Sequence, residues 1–146
     1  MDMKTFLHVG CGHKRKDRTT HGFNTDAWSE IRLDIDPSVS PDVTGTMTDM
    51  ASVSAGSVNA VFSSHNIEHL YPHEVPLSLA QGNLYMAHRC GFTEKVLSGT
   101  LRSSGFKRVA SMKRGAPYFD LWALATKADL NEEELLSMAK NHFTPR

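Results

Sequence analysis

The chain has 146 residues, with 16 basic and 16 acidic side chains and no formal net charge. That length suits a single domain spanning 1–146 with a real core, and balanced charge gives no global field that would draw nucleic acid or an anionic membrane. Two cysteines, Cys11 and Cys90, are too few for a disulfide framework, no apolar run reaches membrane-spanning length, and the first residues lack a charged-then-apolar leader, so a reducing, cytoplasmic setting is expected.

Thr5 to Val9 is short, apolar and closed by glycine, which predicts a buried strand. It runs into Gly10-Cys11-Gly12, where glycines let the backbone approach a ligand closely and Cys11 reads as a small filler. From His13 to Ala27 the chain is polar, with Phe23 its only large apolar residue before Trp28 and no helical period, so a long loop is predicted instead of a crossover helix. Within it, the run His13-Lys14-Arg15-Lys16-Asp17-Arg18 reads either as a solvated loop or as a lip that attracts an acidic substrate.

Glu30 to Ile35 predicts a second strand, stopped by Asp36-Pro37. Asp34 then lies about twenty residues beyond the glycine turn, the distance at which an acid at a strand tip accepts hydrogen bonds from both hydroxyls of a ribose. The third glycine of a dinucleotide fingerprint is missing, since His13-Lys14-Arg15-Lys16 follow Gly12. A nucleoside cofactor without phosphates therefore fits better than a nicotinamide dinucleotide.

Pro41 to Gly45 leaves room for a short third strand, and Asp49-Met50-Ala51 starts a turn or a brief helix. Ser57 to Ser63 predicts a fourth strand that ends in the polar cluster Ser63-Ser64-His65-Asn66. Strands separated by crossovers, with polar residues at their C-terminal ends, indicate an open parallel sheet with a site along that edge. Further on, Thr93 is the expected N-cap of a helix from Glu94 to Ser104, ended by Gly105, with Val96, Leu97 and Leu101 as its apolar stripe. Phe106 to Met112 and Phe119 to Thr126 predict two strands, antiparallel because only the short turn Lys113–Pro117 joins them. Asn131 or Asp129 caps a last helix, Glu132 to Asn141, with Leu135, Leu136 and Met138 facing in.

With Gly10-Cys11-Gly12, Leu33-Asp34-Ile35-Asp36-Pro37 and Ser63-Ser64-His65-Asn66-Ile67-Glu68-His69-Leu70 in hand, the chain resembles class I S-adenosylmethionine-dependent methyltransferases. The segment His65 to Leu70, and the stretch from Cys90-Gly91-Phe92-Thr93 to Gly105-Phe106, resemble the same places in a group of small methyltransferases. The resemblance implies an α/β, truncated Rossmann-like methyltransferase fold, a mostly parallel sheet with a C-terminal antiparallel strand pair. It implies S-adenosyl-L-methionine as cofactor and methyl transfer to an acceptor that the sequence does not identify. Gly10, Cys11 and Gly12 would lie against its methionine part and ribose, and Asp34, followed by Ile35, would hold the ribose hydroxyls. Asp49 and Met50 match the position beside the adenine ring, while Ser63, Ser64 and His65 stand where cofactor and substrate meet. His65 is the first candidate base, with Glu68 and His69 behind it; Glu68 reads equally as a capping or ion-pair residue.

The sequence departs from the family after the fourth strand. Glu74 to Ala80 starts the expected helix, but Gln81 to His88 already lead into the last one, so an internal segment near 79–83, including the fifth strand, is missing. A sheet without that strand must close its gap, leave an edge or borrow a strand from a second chain, and a homodimer is expected. The alternative function is a non-catalytic module or scaffold that binds S-adenosylmethionine or S-adenosylhomocysteine.

His65-Asn66-Ile67-Glu68-His69 also matches the His-x-x-Glu-His pattern of inverted zinc proteases. Pro72 closes that segment soon after His69 and a strand leads into it, which argues against both histidines sharing one helix face. A looser zinc site would draw on His65, His69, His73, His88 or Cys90; the plainer reading has these histidines lining a polar cleft or capping a helix, with no metal. Tyr71, Tyr85 and Phe92 read as core or interface packing more than as substrate-stacking rings, and Trp28 and Trp122 as fillers of the core or its edge.

Overall fold

Four short strands, the first buried on both faces from Phe6 to Val9, build the larger of two sheets. The structure, a computed structural model, describes residues 2–65 and 93–143. These divide into two units, one holding 2–19 and 23–65, the other 20–22 and 93–143.

In the first unit β1 (Lys4–Val9), β2 (Trp28–Asp34), β3 (Val43–Thr44) and β4 (Ala60–Ser63) lie in the order β3-β2-β1-β4, all parallel. The register sets Leu7 beside Ile31 and Val61, and His8 beside Arg32 and Phe62. Side chains alternate between faces along a strand, so the two faces differ in chemistry. One carries the buried cluster Leu7, Val9 and Leu33, covered by Ile31, Val43, Met47, Met50, Val53 and Val58. The other carries Phe6, His8, Glu30, Arg32 and Phe62. On that face Phe23 stacks on Phe6 with ring centroids 4.4 Å apart, Trp28 meets Phe23 edge-on at 5.0 Å, and Phe62 meets His8 edge-on at 5.2 Å.

The loop expected between β1 and β2 is present, with one short 3-10 turn at Lys16–Arg18 as its regular element within the first unit. Phe23 pins it; burying a phenylalanine side chain contributes about 1.5–3 kcal/mol. Strand β4 begins at Ala60, later than the Ser57 expected, because the Asn59 side chain takes the N–H of Thr5 at 2.9 Å and starts the pairing there. Asp49 bridges Thr46 and Ala51 begins a turn, with no helix there, and Ala51 N–H donates to Asp49 Oδ1 at 3.2 Å.

The second unit contains α1 (Glu94–Ser103), β5 (Arg108–Arg114), β6 (Asp120–Thr126) and α2 (Glu132–His142). Thr93 caps α1, accepting from Val96 N–H at 3.3 Å. Asn131, and not Asp129, caps α2: Glu134 N–H donates to Asn131 Oδ1 and Asn131 N–H donates to Glu134 Oε2, both at 2.9 Å. This reciprocal capping box satisfies two backbone donors at the helix start. Strands β5 and β6 pair antiparallel from Arg108↔Thr126 to Arg114↔Asp120. The pair runs two residues past the expected end at Met112, since Arg114 forks onto the Asp120 carboxylate and its guanidinium lies 4.2 Å from the Tyr118 ring and 5.2 Å from the Trp122 ring.

Two apolar stripes need correction. In α2 the buried pair is Leu135 and Ala139, at i and i+4, whereas Leu136 and Met138 are 52% and 37% exposed. In α1 Val96 is 51% exposed, so Leu97 and Leu101 form the half-buried face. Residues three and four apart share a helix face, and the inward face of α2 is set by one such pair. Trp28 joins the aromatic cluster and Trp122 meets Phe143 edge-on at 6.1 Å, in keeping with packing roles. The described residues are thus α/β, with a four-stranded parallel sheet and a separate two-stranded antiparallel sheet. Among them no helix is long and apolar enough to cross a membrane. The expectations for Glu74–Ala80, Gln81–His88, Tyr71, Tyr85 and Phe92 lie outside the described residues.

The end of α2 clamps the short segment 20–22. Thr20 Oγ1 and His142 Nδ1 share a hydrogen bond of 2.7 Å, and Gly22 N–H donates to Asn141 O at 3.0 Å. A Cβ at Gly22 would fall inside the His142 imidazole. Gly22→Ala should therefore destabilise by about 1–3 kcal/mol in urea denaturation, the cost of overpacking. In a His142→Ala background the same change should cost much less, a coupling that a double-mutant cycle measures.

Candidate functional site

Parallel register brings the C-terminal strand ends to one level. Val9 stands between Leu33 and Ser63, and Leu33 stands beside Val43. One residue on come Gly10, Asp34, Thr44 and Ser64, at the edge where open parallel sheets bind ligands. Gly10 N–H and Cys11 N–H both donate to Leu33 O, at 2.8 and 3.2 Å, so the glycine turn is tied to the end of β2. Gly10 has φ of 62° and Gly12 of 52°, the left-handed region that glycine adopts without strain. A Cβ on Gly12 would meet nothing within 4 Å, so that side of the turn is open.

Asp34 is held from two sides. Gly12 N–H donates to its Oδ2 at 2.7 Å and Asp36 N–H to its Oδ1 at 2.9 Å. A carboxylate oxygen accepts about two hydrogen bonds, so each oxygen keeps capacity for one more donor. The result is a pair of fixed acceptors, suited to two adjacent hydroxyls. Ile35 beside it is 49% exposed. Asp36 accepts from Ser38 N–H at 2.9 Å and caps the 3-10 turn Pro37–Val39. Hydrogen bonding from Ser38 holds the Asp36 carboxyl below its usual range, and His13 adds in the same direction.

Below this edge lies Arg32, only 2% exposed. Its guanidinium donates to Gly12 O, to Lys14 O at 3.2 Å, to Ser40 O at 2.8 Å and to Val39 O at 3.3 Å, while its backbone N–H donates to Asp42 Oδ2 at 2.7 Å. The buried cation is thus satisfied by carbonyl dipoles drawn from the loops on both sides of β2.

A second buried group, His8, stands directly beside Arg32 on β1. His8 Nδ1 donates to Glu30 Oε1 at 2.7 Å, and Lys16 N–H donates to Glu30 Oε2 at 2.9 Å. Lys16 Nζ donates to Thr25 O at 2.9 Å and Trp28 O at 2.8 Å, and Thr19 Oγ1 to Lys16 O at 2.6 Å. Burial lowers the His8 pKa, outweighing the Glu30 carboxylate, while Arg32 and Lys14 push it the same way as burial. Cys11 is 1% exposed and burial pushes its thiol up, so it fills the turn and is no thiolate nucleophile.

The remaining predicted positions divide. Asp49 is exposed at its turn, and Met50 packs against the Leu7–Val9–Leu33 cluster, so its side chain is partly committed to the core. Ser63 and Ser64 lead from the end of β4 to His65, which is exposed with φ of 52°. Glu68 and His69 lie outside the described residues, as do His73, His88 and Cys90. Among the described residues no group of three His, Cys, Asp or Glu side chains could hold a metal ion.

No protein-family model, curated protein or solved structure matches this chain.

Three residues of the site escaped the sequence reading: Arg32, His8 and Glu30. Their signal was a charged or polar residue flanked by buried apolar ones, Ile31-Arg32-Leu33 and Leu7-His8-Val9. Such a residue, if buried, requires partners.

Two outcomes follow from this network. Arg32→Met should cost about 2–4 kcal/mol in urea denaturation, because four part-buried carbonyls lose their donor. Arg32→Lys should recover little of it, since one ammonium cannot reproduce a planar fork spread over four carbonyls. His8 and His142 both have folded-state pKa values below the ordinary histidine value, each chiefly through burial. The unfolded chain therefore binds more protons as pH falls below about 6.5, so stability is fully present above that value and is lost on acidification towards the lowered folded-state values. Urea midpoints between neutral pH and mildly acidic pH should show this slope, and His8→Gln should flatten part of it.

Proposed function

We propose that the chain binds S-adenosyl-L-methionine along the C-terminal edge of its parallel sheet and catalyses methyl transfer, within a truncated Rossmann-like methyltransferase fold. The observation that carries this reading is the Asp34 carboxylate, held by Gly12 and Asp36 N–H groups beside a glycine turn whose outer side is open. The β3-β2-β1-β4 parallel order supports it, because it sets the acid and the glycine turn on adjacent strands. The residues fit a nucleoside: two acceptors for a ribose diol, room for close approach at Gly12, and the half-exposed Ile35 to lie against a flat ring. They fit a pyrophosphate less well, since a loop and a single 3-10 turn follow Gly12 where a dinucleotide binder starts a helix.

Gly10, Cys11 and Gly12 would contribute backbone to the cofactor, Asp34 the ribose contacts, and Asp49, Met50, Ser63 and Ser64 the surrounding wall. When bound, the cofactor supplies a methyl group already activated on a sulfonium. The protein has then to align the acceptor and exclude water. His65, exposed just past β4, is the candidate base for a proton on the acceptor atom, with Glu68 and His69 proposed behind it. A homodimer belongs to the same proposal: among the described residues β4 pairs with β1 alone, and Val61 on it is 58% exposed.

S-adenosylhomocysteine should raise the melting temperature, by about 2.7 kcal/mol of added stability at a hundredfold excess over its Kd. Asp34→Asn, which preserves shape but removes one ribose acceptor, should lose most of the shift. A shift with NADH and none with S-adenosylhomocysteine would overturn the cofactor assignment. Transfer of a labelled methyl group from S-adenosylmethionine into a metabolite extract separates an enzyme from a non-catalytic binder.

A further inference from the structure

We infer that the methyl acceptor is an anion, a small molecule bearing a carboxylate or phosphate group, received by His13, Lys14 and Arg15 on the rim of the glycine turn; this rests on the methyl-transfer reading above. The chain as a whole has no net charge, yet the run His13 to Arg18 holds Lys14, Arg15, Lys16 and Arg18 against the single acid Asp17. The structure separates the cations of this region into two kinds. Lys16 and Arg32 face inward and are committed to carbonyl groups. His13, Lys14 and Arg15 are exposed, and among the described residues their side chains make no hydrogen bond or ion pair.

Their backbone is nevertheless fixed. Lys14 N–H donates to Cys11 O at 3.0 Å, Lys14 O accepts from Arg32 Nε at 3.2 Å, and Arg18 N–H donates to Arg15 O at 2.8 Å. Here the like-charged neighbours Lys14 and Arg15 are held at set positions just after Gly12. The carboxylates nearby already have donors: Glu30 from His8 and Lys16, Asp34 from Gly12 and Asp36, Asp36 from Ser38. Of these carboxylates Asp36 is acted on by His13, and Lys14 and Arg15 are left to meet an anion from solution. Exposed charges of this kind bind a free anion weakly and act mainly by steering and orienting it.

The test uses the full chain, labelled with nitrogen-15, with inorganic phosphate and succinate titrated separately at constant ionic strength set by sodium chloride. Saturable amide shifts at residues 13–15 are expected with at least one of the two, and which one identifies the anionic group. In Lys14→Ala/Arg15→Ala the apparent affinity should fall at least tenfold while the thermal shift with S-adenosylhomocysteine stays unchanged. Lys14→Gln/Arg15→Gln, closer in length, should behave alike. Shifts that never saturate, that chloride reproduces, or that survive in both double variants would overturn the inference. Saturable, variant-sensitive binding in a protein that ignores S-adenosylhomocysteine would leave the anion site standing and overturn the methyl-transfer reading alone.

Discussion

The guanidinium of Arg32 is the constraint on which the site depends. It sits in the sheet's own strand, nearly without exposure, and reaches carbonyls of Gly12, Lys14, Val39 and Ser40. A buried cation is costly to desolvate, and here four hydrogen bonds to carbonyl oxygens offset that cost. That requirement works in both directions. The loops must deliver their carbonyls to Arg32, and in doing so they take up one arrangement. The glycine turn and the segment after β2 are therefore placed by the same side chain, which lets Asp34 meet both Gly12 N–H and Asp36 N–H.

A polar loop in place of a crossover helix raises a question of accounting, because its backbone groups have no helical ladder to join. The answer lies with a few side chains. Glu30 receives His8 and the backbone of Lys16, and the Lys16 ammonium returns to Thr25 and Trp28 carbonyls. Phe23 supplies the apolar anchor, stacked on Phe6 and edged by Trp28. The loop is thus built from one aromatic anchor, Phe23, and a set of charge-assisted hydrogen bonds, each roughly twice as strong as a neutral one. The lowered His8 pKa fits this arrangement, since burial and the neighbouring Arg32 disfavour a charge there while its Nδ1–H still donates to Glu30.

The second unit uses more local devices. Its hairpin is held in register by seven facing pairs and closed at its end by Arg114 on Asp120, with Tyr118 and Trp122 on the guanidinium. Its last helix starts from the Asn131–Glu134 capping box and ends where His142 meets Thr20. A two-stranded sheet is marginal on its own, and helix packing on β5 and β6 supplies the additional burial.

What the sequence by itself determined was local and periodic. Strands β1, β2 and β4, the glycine turn, the loop after it, the cap at Thr93 and the hairpin were all legible, because each depends on neighbours within a few residues, whereas the choice of Asn131 over Asp129 came from the structure. Boundaries slipped where a distant group intervened: Asn59 shortened β4 through Thr5, and Asp120 lengthened β5 through Arg114. The inward face of α2 was misjudged because spacing alone marks several apolar residues, while packing selects the one pair Leu135 and Ala139. Only the tertiary structure decided that Arg32, His8 and Glu30 are interior and partnered. Sequence shows a charge among apolar residues, but its partners stand 7 to 22 positions away, a separation at which no periodicity acts.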